Sequence, residues 1–506
     1  LARREQDAAK QVGALSGALA NLLSAPSDQQ DRSAVAALRG RIESLARARQ
    51  ALTAQIVRDF PTYHELIDPA PATVERARAS LRPGEALIAT YVTEERTFVW
   101  AIPQDGAVAF AAVPLGAAAL GADVARLRQA LEPTARTLGD IPPFDVDRAH
   151  RLYETLLAPV ADGWREARSL LVVPHGPLGQ LPFALLPTKA VALGAEEGAL
   201  FSRYRAVPWL GRTHAVVVLP SVTALATLRA MPLGAAARRP FVGFGDPYFN
   251  PEQARRAAGE AARVEVAALT PRSVPVALRD LRVQSLASAR LGILPRLPDT
   301  AEEIRAIAAA LGAAPARDVF LGERANERAV KSLDLARYRV IAFATHGRTP
   351  GDLDGLTQPA LALTAPEVAN VEGDGLLTME EILALRLDAD WVVLSACNTA
   401  SGQGAGAEAI SGLGRAFFYA GARALLVSNW PVETTSARAL TTDLFRRQSA
   451  DPGLTRAEVL RQTMNGLIDG PGHVDPGTGQ VVFSYAHPIF WAPFSLVGDG
   501  GAGVGK

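Results

Sequence analysis

The chain has 506 residues, and its 52 basic and 52 acidic residues give a formal net charge of zero. Without an excess of positive charge, it lacks the electrostatic attraction on which binding to nucleic acid or an anionic membrane depends. Hydrophobic residues make up 48% of the sequence, enough for large cores, and no apolar run approaches the roughly eighteen residues of a membrane span. We expect about two to four domains and neither nucleic acid nor a membrane as partner.

Cys397 is the only cysteine, so the chain has no internal disulfide. Free thiols persist in reducing compartments, and we therefore expect a cytoplasmic location. The sequence contains 48 Arg and 4 Lys, a bias typical of high-GC bacterial genomes. The chain begins at Leu1 instead of Met, which leaves a preceding signal peptide or repeat region open.

Residues 1–68 are predicted to form an antiparallel helical hairpin. Their Ala-, Leu- and Arg-rich periodicity is interrupted near Pro26, which cannot continue a helix. Four apolar residues form one helical stripe that needs a partner face: Val12, Leu15, Leu19 and Leu22. This stripe packs on the neighbouring domain or forms a docking surface for another protein.

Residues 81–290 are predicted to form a second region that begins with a β-hairpin. The runs 85–92 and 97–102 alternate in polarity around a short charged turn. Helical patterns follow near residues 117–131 and 146–157. The Ala-, Arg- and Pro-rich stretch that ends at Pro298 has weak periodicity, which indicates a surface excursion with one or two short helices.

Two apolar runs in the C-terminal region, 339–345 and 391–396, each stop at a residue that can do chemistry. The first precedes His346 and the second precedes Cys397, 51 residues later. Both have the length and composition of buried parallel strands, and residues 376–385 are predicted to form the crossover helix between them. If the strands are adjacent and parallel, His346 and Cys397 lie at one rim of the sheet, where α/β sheets bind ligands.

A thiol and an imidazole at one rim point to nucleophilic catalysis. Cysteine attacks as a thiolate, and a neighbouring imidazolium increases the thiolate fraction and then donates a proton to the leaving amine. The spacing of 51 also resembles that of caspases, in which the histidine precedes the cysteine by about 50 residues. The alternative is that Cys397 is an inert core residue. No third, orienting residue can be identified.

Five sequence blocks in order resemble the CHAT domain, a caspase- and separase-like group of cysteine proteases. They are Ala344-Thr-His-Gly, Leu394-Ser-Ala-Cys-Asn-Thr-Ala, Gly412-Leu-Gly-Arg-Ala-Phe-Phe-Tyr-Ala-Gly-Ala, Ser428-Asn-Trp-Pro-Val and His487-Pro-Ile-Phe-Trp-Ala-Pro-Phe. The resemblance covers about residues 81–498. It implies an α/β fold with a caspase-like sheet flanked by helices, a catalytic half at 299–498 and a flexible tail at 499–506. No cofactor is expected.

The resemblance also implies roles at the site. The backbone N–H groups of Gly347 and Cys397 would form an oxyanion hole. The strand 424–428 and the loop after it would form a cleft wall that holds the substrate by strand addition. The substrate-binding residues would then be Ser428, Asn429, Trp430 and Glu433.

Glu433 has two interpretations. Its carboxylate could pair with a basic substrate residue, although family members often have two acids there and here Thr434 follows. Alternatively, Glu433 stabilises the N-terminus of a helix that begins at Thr434. Asp352 and Asp354 are further candidates for pocket acids, or they are turn residues.

A segment at about 150–250 repeats the pattern of two apolar runs seen before His346 and Cys397. One apolar run ends just before His175, and another, which ends at Leu219, precedes a helical stretch. Aligning Leu219 with Leu394 places Val222 at the position of Cys397, which predicts an inactive pseudo-protease half. The alternative is a second dyad of His175 and Ser221, but Ser221 has the sequence position of a helix N-cap.

Two glycine-rich stretches carry weaker signals. Residues 402–406 lack the third glycine of a dinucleotide loop, and residues 500–506 match a Walker A pattern whose Ser or Thr and helix are missing. The chain also contains no Gly-x-Ser-x-Gly elbow, which disfavours a serine hydrolase.

Three functions remain open at this point. The first is a cysteine endopeptidase that cleaves a specific protein partner, with an activating protein docking on the N-terminal helices. Bacterial defence and regulated proteolysis are the expected settings. The second is a catalytically silent CHAT scaffold for protein interaction, and the third is another cysteine acyl transferase or thioesterase.

Overall fold

The computed structural model describes residues 8, 11, 12, 15, 19, 32–59, 72–133, 135, 137–232, 234–259, 291–348, 353, 356, 358–395, 412–475 and 477–501. By its internal contacts the chain divides into two compact units, Leu1–Pro71 and Ala72–Lys506.

The first unit is helical where it is described. Helix α1 spans Arg32–Asp59, as predicted for the second arm of the hairpin. Residues 8, 11, 12, 15 and 19 of the first arm are also helical, and three residues of the predicted stripe, Val12, Leu15 and Leu19, are half-buried. Pro26 and the turn lie outside the described residues.

The second unit is built on one large sheet of eleven strands. From edge to edge their order is β3-β2-β1-β4-β5-β16-β13-β12-β8-β6-β7. The strands of this unit are β1 (Glu85–Val92), β2 (Thr97–Pro103), β3 (Ala109–Val113), β4 (Ser169–Val173), β5 (Ala215–Val218), β6 (Arg239–Gly245), β7 (Val319–Leu321), β8 (Tyr338–Ala344), β9 (Gly347–Arg348), β10 (Ala360–Ala362), β11 (Leu376–Thr378), β12 (Trp391–Leu394), β13 (Ala424–Ser428), β14 (His473–Val474), β15 (Val481–Phe483) and β16 (Phe494–Gly498).

The pairing confirms the central prediction about strand order. Strands β8 and β12 are adjacent and parallel, with Phe343 opposite Leu394. Strand β13 continues the parallel set on one side and β6 on the other. Strands β4 and β5 form another parallel pair, and β1 and β2 form the predicted antiparallel hairpin. Mixed α/β architecture around a central sheet is therefore established.

Strand β16 joins the two halves of the sheet and reverses their direction. It is antiparallel to β13 but parallel to β5. The carboxyl ends of β4 and β5 therefore lie at the rim opposite to the carboxyl ends of β8 and β12.

Helices flank the sheet on both faces. On one face the helix Asp299–Ala310 contacts β6 closely at Gly245, where a Cβ atom would lie 2.9 Å from atoms of that helix, and Trp391 packs edge-on against Phe445 of the helix Thr434–Ala450. On the other face Phe343 contacts Phe417 of the helix Gly412–Ala420. The helices are α2 (Val74–Ala79), α3 (Ala117–Arg128), α4 (Val146–Leu156), α5 (Leu210–Thr213), α6 (Val222–Ala230), α7 (Pro251–Gly259), α8 (Asp299–Ala310), α9 (Pro315–Asp318), α10 (Glu327–Ser332), α11 (Pro366–Ala369), α12 (Met379–Ala384), α13 (Gly412–Ala420), α14 (Thr434–Ala450), α15 (Arg456–Asp469) and α16 (Pro488–Trp491).

The predicted crossover helix at 376–385 is partly wrong. Its first three residues form β11, which pairs with β10 in a small sheet ordered β11-β10-β9. Only Met379–Ala384 is helical, because Thr378 and Glu381 form a capping box that begins the helix there. The small sheet connects directly to the site, since β9 follows His346.

Two predicted boundaries also change. The sequence places strand β6 in the N-terminal half, but in the sheet it lies between β8 and β7 and belongs with β8 and β12. Asp499 was assigned to a flexible tail, yet it is buried and forms ion pairs with Arg82, Arg229 and Arg456. Residues 502–506 lie outside the described part of the chain.

Candidate active site

Four parallel strands end at the same rim of the sheet. Asp246 follows β6, His346 follows β8, Ser395 follows β12 and Asn429 follows β13. Because parallel strands deliver the residues after their carboxyl ends to one edge, side chains far apart in sequence converge there. This rim is the candidate active site.

His346 is almost completely buried, with 1% of its surface exposed. Its ring lies 5.5 Å from the ring of Phe249, and Nε2 lies 2.8 Å from the carbonyl oxygen of Pro295. A carbonyl can only accept, so Nε2 carries the hydrogen in this bond. In the neutral imidazole, Nδ1 then carries the lone pair and is the nitrogen that can take up a proton.

An ion pair holds the chain next to that carbonyl. Arg296 donates from Nε to one carboxylate oxygen of Asp246 and from Nη2 to the other, both at 2.8 Å. Asp246 is buried and has a φ of +48°, a left-handed conformation that is uncommon for residues other than glycine. A backbone held in such a conformation is typical of functional sites. The pair fixes the residue that directly follows Pro295.

Two amide side chains bind the backbone just before Pro295. One belongs to α7, and the other belongs to the residue that precedes α7. Asn250 donates to the carbonyl of Gly292, and Gln253 donates to the carbonyl of Leu294. Together with the ion pair, these bonds fix the backbone on which the orientation of His346 depends. No motif in the sequence links these residues to His346, because they lie about 50 to 100 residues away in the chain.

Cys397 lies outside the described residues, but the strand that leads to it is well defined. The Ser395 N–H donates to the Phe343 carbonyl at 3.0 Å, which continues the pairing of β12 with β8. The Ser395 hydroxyl donates to Glu303, a fully buried carboxylate of α8 that also accepts from the Thr441 hydroxyl. Glu303 therefore anchors the end of β12 two residues before Cys397.

Gly347 begins β9, opposite Leu361. The Ala362 N–H donates to the His346 carbonyl at 2.9 Å. In an antiparallel ladder, this bond makes Gly347 and Leu361 a pair that is not hydrogen-bonded to each other. The N–H of Gly347 therefore points away from β10, as an oxyanion donor would require.

The match to known families decides what kind of domain this is. The CHAT domain family matches residues 146–499, more than half of the chain. The chain belongs to the CHAT domain family.

Other similarities are more distant. A mouse protein, Tetratricopeptide repeat protein 28, is 27% identical over 233 residues, 40% of this chain and 9% of the relative. The chain thus spans only a small part of that relative. The separase–securin complex of Saccharomyces cerevisiae matches with a TM-score of 0.43 and 9% identity, covering 97% of this chain and 37% of that one. The cysteine proteinase gingipain R matches with a TM-score of 0.34 and 9% identity, covering 71% and 67%.

The expected cleft wall of the CHAT domain is more buried than the sequence suggests. Strand β13 is hydrogen-bonded to β12 on one edge and to β16 on the other, so substrate addition to this strand itself is excluded. Ser428 and Trp430 are fully buried. Asn429 is also buried, and its amide donates to the Pro493 carbonyl and the Ser495 hydroxyl. Substrate contact by these residues remains a prediction that needs local opening.

Glu433 acts as the N-cap of α14. Its two carboxylate oxygens accept from the N–H groups of Thr435 at 3.0 Å and Ser436 at 2.7 Å, and only 5% of its surface is exposed. The geometry favours the interpretation in which Glu433 stabilises a helix N-terminus. Asp352 and Asp354, the other candidate acids, lie outside the described residues.

The N-terminal half contains a structural counterpart of the site. The Leu219 N–H donates to the Val172 carbonyl at 2.8 Å, as Ser395 does to Phe343. His175 lies three residues after Val172, just as His346 follows Phe343. The register therefore matches Ser221 with Cys397, and the predicted match of Val222 is wrong by one residue.

Both counterpart residues serve the fold. The Nδ1 of His175 accepts from the Val92 N–H at 3.0 Å, and the backbone N–H of His175 donates to the Thr90 hydroxyl. The Ser221 hydroxyl accepts from the Ala224 N–H and caps α6, as predicted. Burial lowers the pKa of His175.

Among the described residues, no helix is long and apolar enough to cross a membrane. The same residues contain no group of three or more His, Cys, Asp and Glu side chains that could hold a metal ion.

Proposed function

We propose that this CHAT domain is a cysteine endopeptidase in which Cys397 is the nucleophile and His346 is the general acid and base. The observation that carries the proposal is the hydrogen bond from His346 Nε2 to Pro295 at the rim where β8 and β12 end side by side. It supports Nδ1 as the nitrogen that exchanges a proton with the thiol and the leaving group.

The reaction follows from these assignments. His346 takes the thiol proton, and the Cys397 thiolate attacks the scissile carbonyl carbon. The N–H groups of Gly347 and Cys397 stabilise the developing oxyanion. The His346 imidazolium then protonates the leaving amine, and water hydrolyses the thioester with His346 as base, which restores the thiol.

The substrate is proposed to be a specific protein, with an activating protein that docks on the helices of the first unit. A reducing compartment such as the cytoplasm would keep the single thiol active. A silent scaffold has less support, because His346 Nε2 donates to the Pro295 carbonyl while an Arg296–Asp246 ion pair holds the next residue, an arrangement that supports an acid–base role. A thioesterase or acyl transferase would use the same Cys397 and His346, and the experiment below distinguishes these activities from peptide cleavage.

A substrate panel tests the proposal. Wild type, Cys397→Ala and His346→Gln are incubated with a peptide library and with a set of acyl thioesters, and products are identified by mass spectrometry. The proposal expects peptide cleavage that both variants abolish. Turnover of thioesters alone would identify an acyl-transfer enzyme, and no turnover with a wild type that resists thiol-directed probes would indicate a scaffold.

A further inference from the structure

Arg348 stands two residues after His346, at the end of β9. Its Nε and Nη2 atoms are buried, and within the described part of the chain neither has a hydrogen-bond partner. A guanidinium remains charged at any physiological pH. Burying such donor atoms without a partner is costly, so Nε and Nη2 of Arg348 are suited to bind an acceptor that a ligand supplies.

Other arginines of the described residues do not share this property. Arg78, Arg205 and Arg423 each contain one buried nitrogen without a partner, but each also donates elsewhere from the same guanidinium. Arg203 lies beside Glu196. Among the described arginines that contain a buried nitrogen without a partner, Arg348 therefore differs in having no hydrogen bond or ion pair elsewhere on its guanidinium.

The backbone places Arg348 beside the catalytic histidine. Residues 346–348 are extended, with His346 bonded to Ala362 and Arg348 paired with Ala360. In an extended strand, alternate side chains share a face, and their Cα atoms lie about 7 Å apart. The residue opposite Arg348 is a small alanine, Ala360.

The strand opposite Arg348 is apolar and buried. Ala360 and Ala362 pack in an apolar cluster with Phe249 and Leu294. A charge pair is stronger in such an environment than in water. The planar guanidinium fork also matches a carboxylate, whose two oxygens can accept from Nε and Nη2 together.

We propose that Arg348 is a specificity residue that binds the carboxylate of an Asp or Glu side chain in the substrate, next to the scissile bond. This inference rests on the proposed peptidase function, because it takes His346 as the centre of the reaction. It replaces Glu433, whose oxygens are engaged by α14, as the charged group that selects the substrate.

The single cysteine permits a test that needs no substrate. Iodoacetate and iodoacetamide alkylate thiols by the same displacement, but iodoacetate has a carboxylate where iodoacetamide has a neutral amide. Because Cys397 is the only cysteine, the increase in intact mass measures alkylation of Cys397 alone. The rate constant for iodoacetate is divided by the rate constant for iodoacetamide, and this ratio is compared with the same ratio for free N-acetylcysteine. Arg348 should raise the ratio in the wild type about tenfold, the equivalent of about 1.4 kcal/mol, and added salt should reduce the increase.

Variants assign the effect to Arg348. Arg348→Gln should return the ratio to the solution value, and Arg348→Lys should give an intermediate ratio. Arg305→Gln, which removes an exposed guanidinium from α8, is the matched control and should leave the ratio unchanged. A wild-type ratio equal to that of the free thiol overturns the proposal even if a variant does not fold.

Peptide substrates separate the subsite from the peptidase assignment. Peptides with Asp or Glu beside the cleaved bond should exceed their Asn or Gln analogues at least about tenfold in kcat/KM, and Arg348→Glu should reverse this preference. Cleavage without an acidic preference would contradict the Arg348 subsite but support the peptidase proposal. An increased iodoacetate ratio without any peptide cleavage would support the subsite but contradict the peptidase proposal.

Discussion

The two halves of the sheet contain the same local pattern in opposite orientations. In each half a parallel strand pair is extended by one N–H donated across the pair, from Leu219 to Val172 or from Ser395 to Phe343. In each half a histidine follows three residues later. The difference lies in what binds that histidine, and in whether serine or cysteine occupies the partner position.

In the N-terminal half, Nδ1 of His175 is occupied by a backbone N–H, and the Ser221 hydroxyl caps a helix. In the C-terminal half, Nε2 of His346 is held by a backbone carbonyl, which leaves Nδ1 as the basic nitrogen. The same topology therefore places a histidine that bonds the backbone through Nδ1 at one rim, and a histidine whose Nδ1 can take up a proton at the other. The choice of ring nitrogen separates the two roles.

The largest effect is expected from the dyad itself. Replacing Cys397 with Ala or His346 with Gln should reduce peptide cleavage by at least about a thousandfold, because nucleophile and base act as one unit. Cleavage assays with denaturation curves measure this. His346→Ala should also lower stability, because His346 is buried against Phe249. Cleavage retained by either variant would contradict the dyad.

The ion pair beside Pro295 should have the next largest effect. Asp246→Asn removes the charge that holds Arg296, and a small displacement of the Pro295 carbonyl should reduce kcat about ten- to a hundredfold with little change in KM.

The N-terminal half supplies the matched control for this variant. Arg229 forms a bidentate, buried ion pair with Glu85 there. Glu85→Gln and Asp246→Asn should lower the free energy of unfolding by similar amounts, about 3 kcal/mol each. Glu85→Gln should do so without changing kcat. Equal losses of kcat in both variants would mean that Asp246 acts only through stability.

Acid should weaken the junction of the two halves. His487 lies against Phe201 and Tyr204 of the N-terminal half, and complete burial lowers its pKa to about 3. The unfolded chain binds this proton below about pH 6.5, so the free energy of unfolding should fall as pH decreases toward 3, by about 1.4 kcal/mol per unit.

Urea denaturation at several pH values measures this slope. In His487→Gln, the slope between pH 6.5 and 3 should be smaller than in the wild type. His473→Gln, at a histidine of the short β14 strand, is the control and should keep the wild-type slope. If His487→Gln leaves the slope unchanged, His487 is not the group that couples pH to stability.

The smallest effects are expected at the counterpart site. Ser221→Ala should reduce stability by about 1 kcal/mol through loss of the cap on α6, and His175→Ala should retain full cleavage activity. Calorimetry and kinetics on the same preparations check both. A stable but inactive His175→Ala would show that this half takes part in catalysis.

Sequence reasoning could predict the strands of the site because each is a short apolar run that ends at a polar residue. It could not find Pro295, Asp246 and Arg296, because a carbonyl has no side-chain signature and the ion pair joins residues 50 apart. It missed the reversed direction of the halves, which depends on β16 inserting between β5 and β13. It began the helix at 376–385 three residues too early, since so short a run fits strand and helix equally.

One measurement compares the two histidines directly. The alkylation rate of Cys397 by iodoacetamide is followed by intact mass across the pH range from about 5 to 9 in wild type, His346→Gln and His175→Gln. We predict fast alkylation near neutral pH in the wild type and in His175→Gln, and a marked loss in His346→Gln, because a neighbouring imidazolium favours the thiolate. Identical profiles for the wild type and His346→Gln would contradict the assignment of His346 as the partner of Cys397.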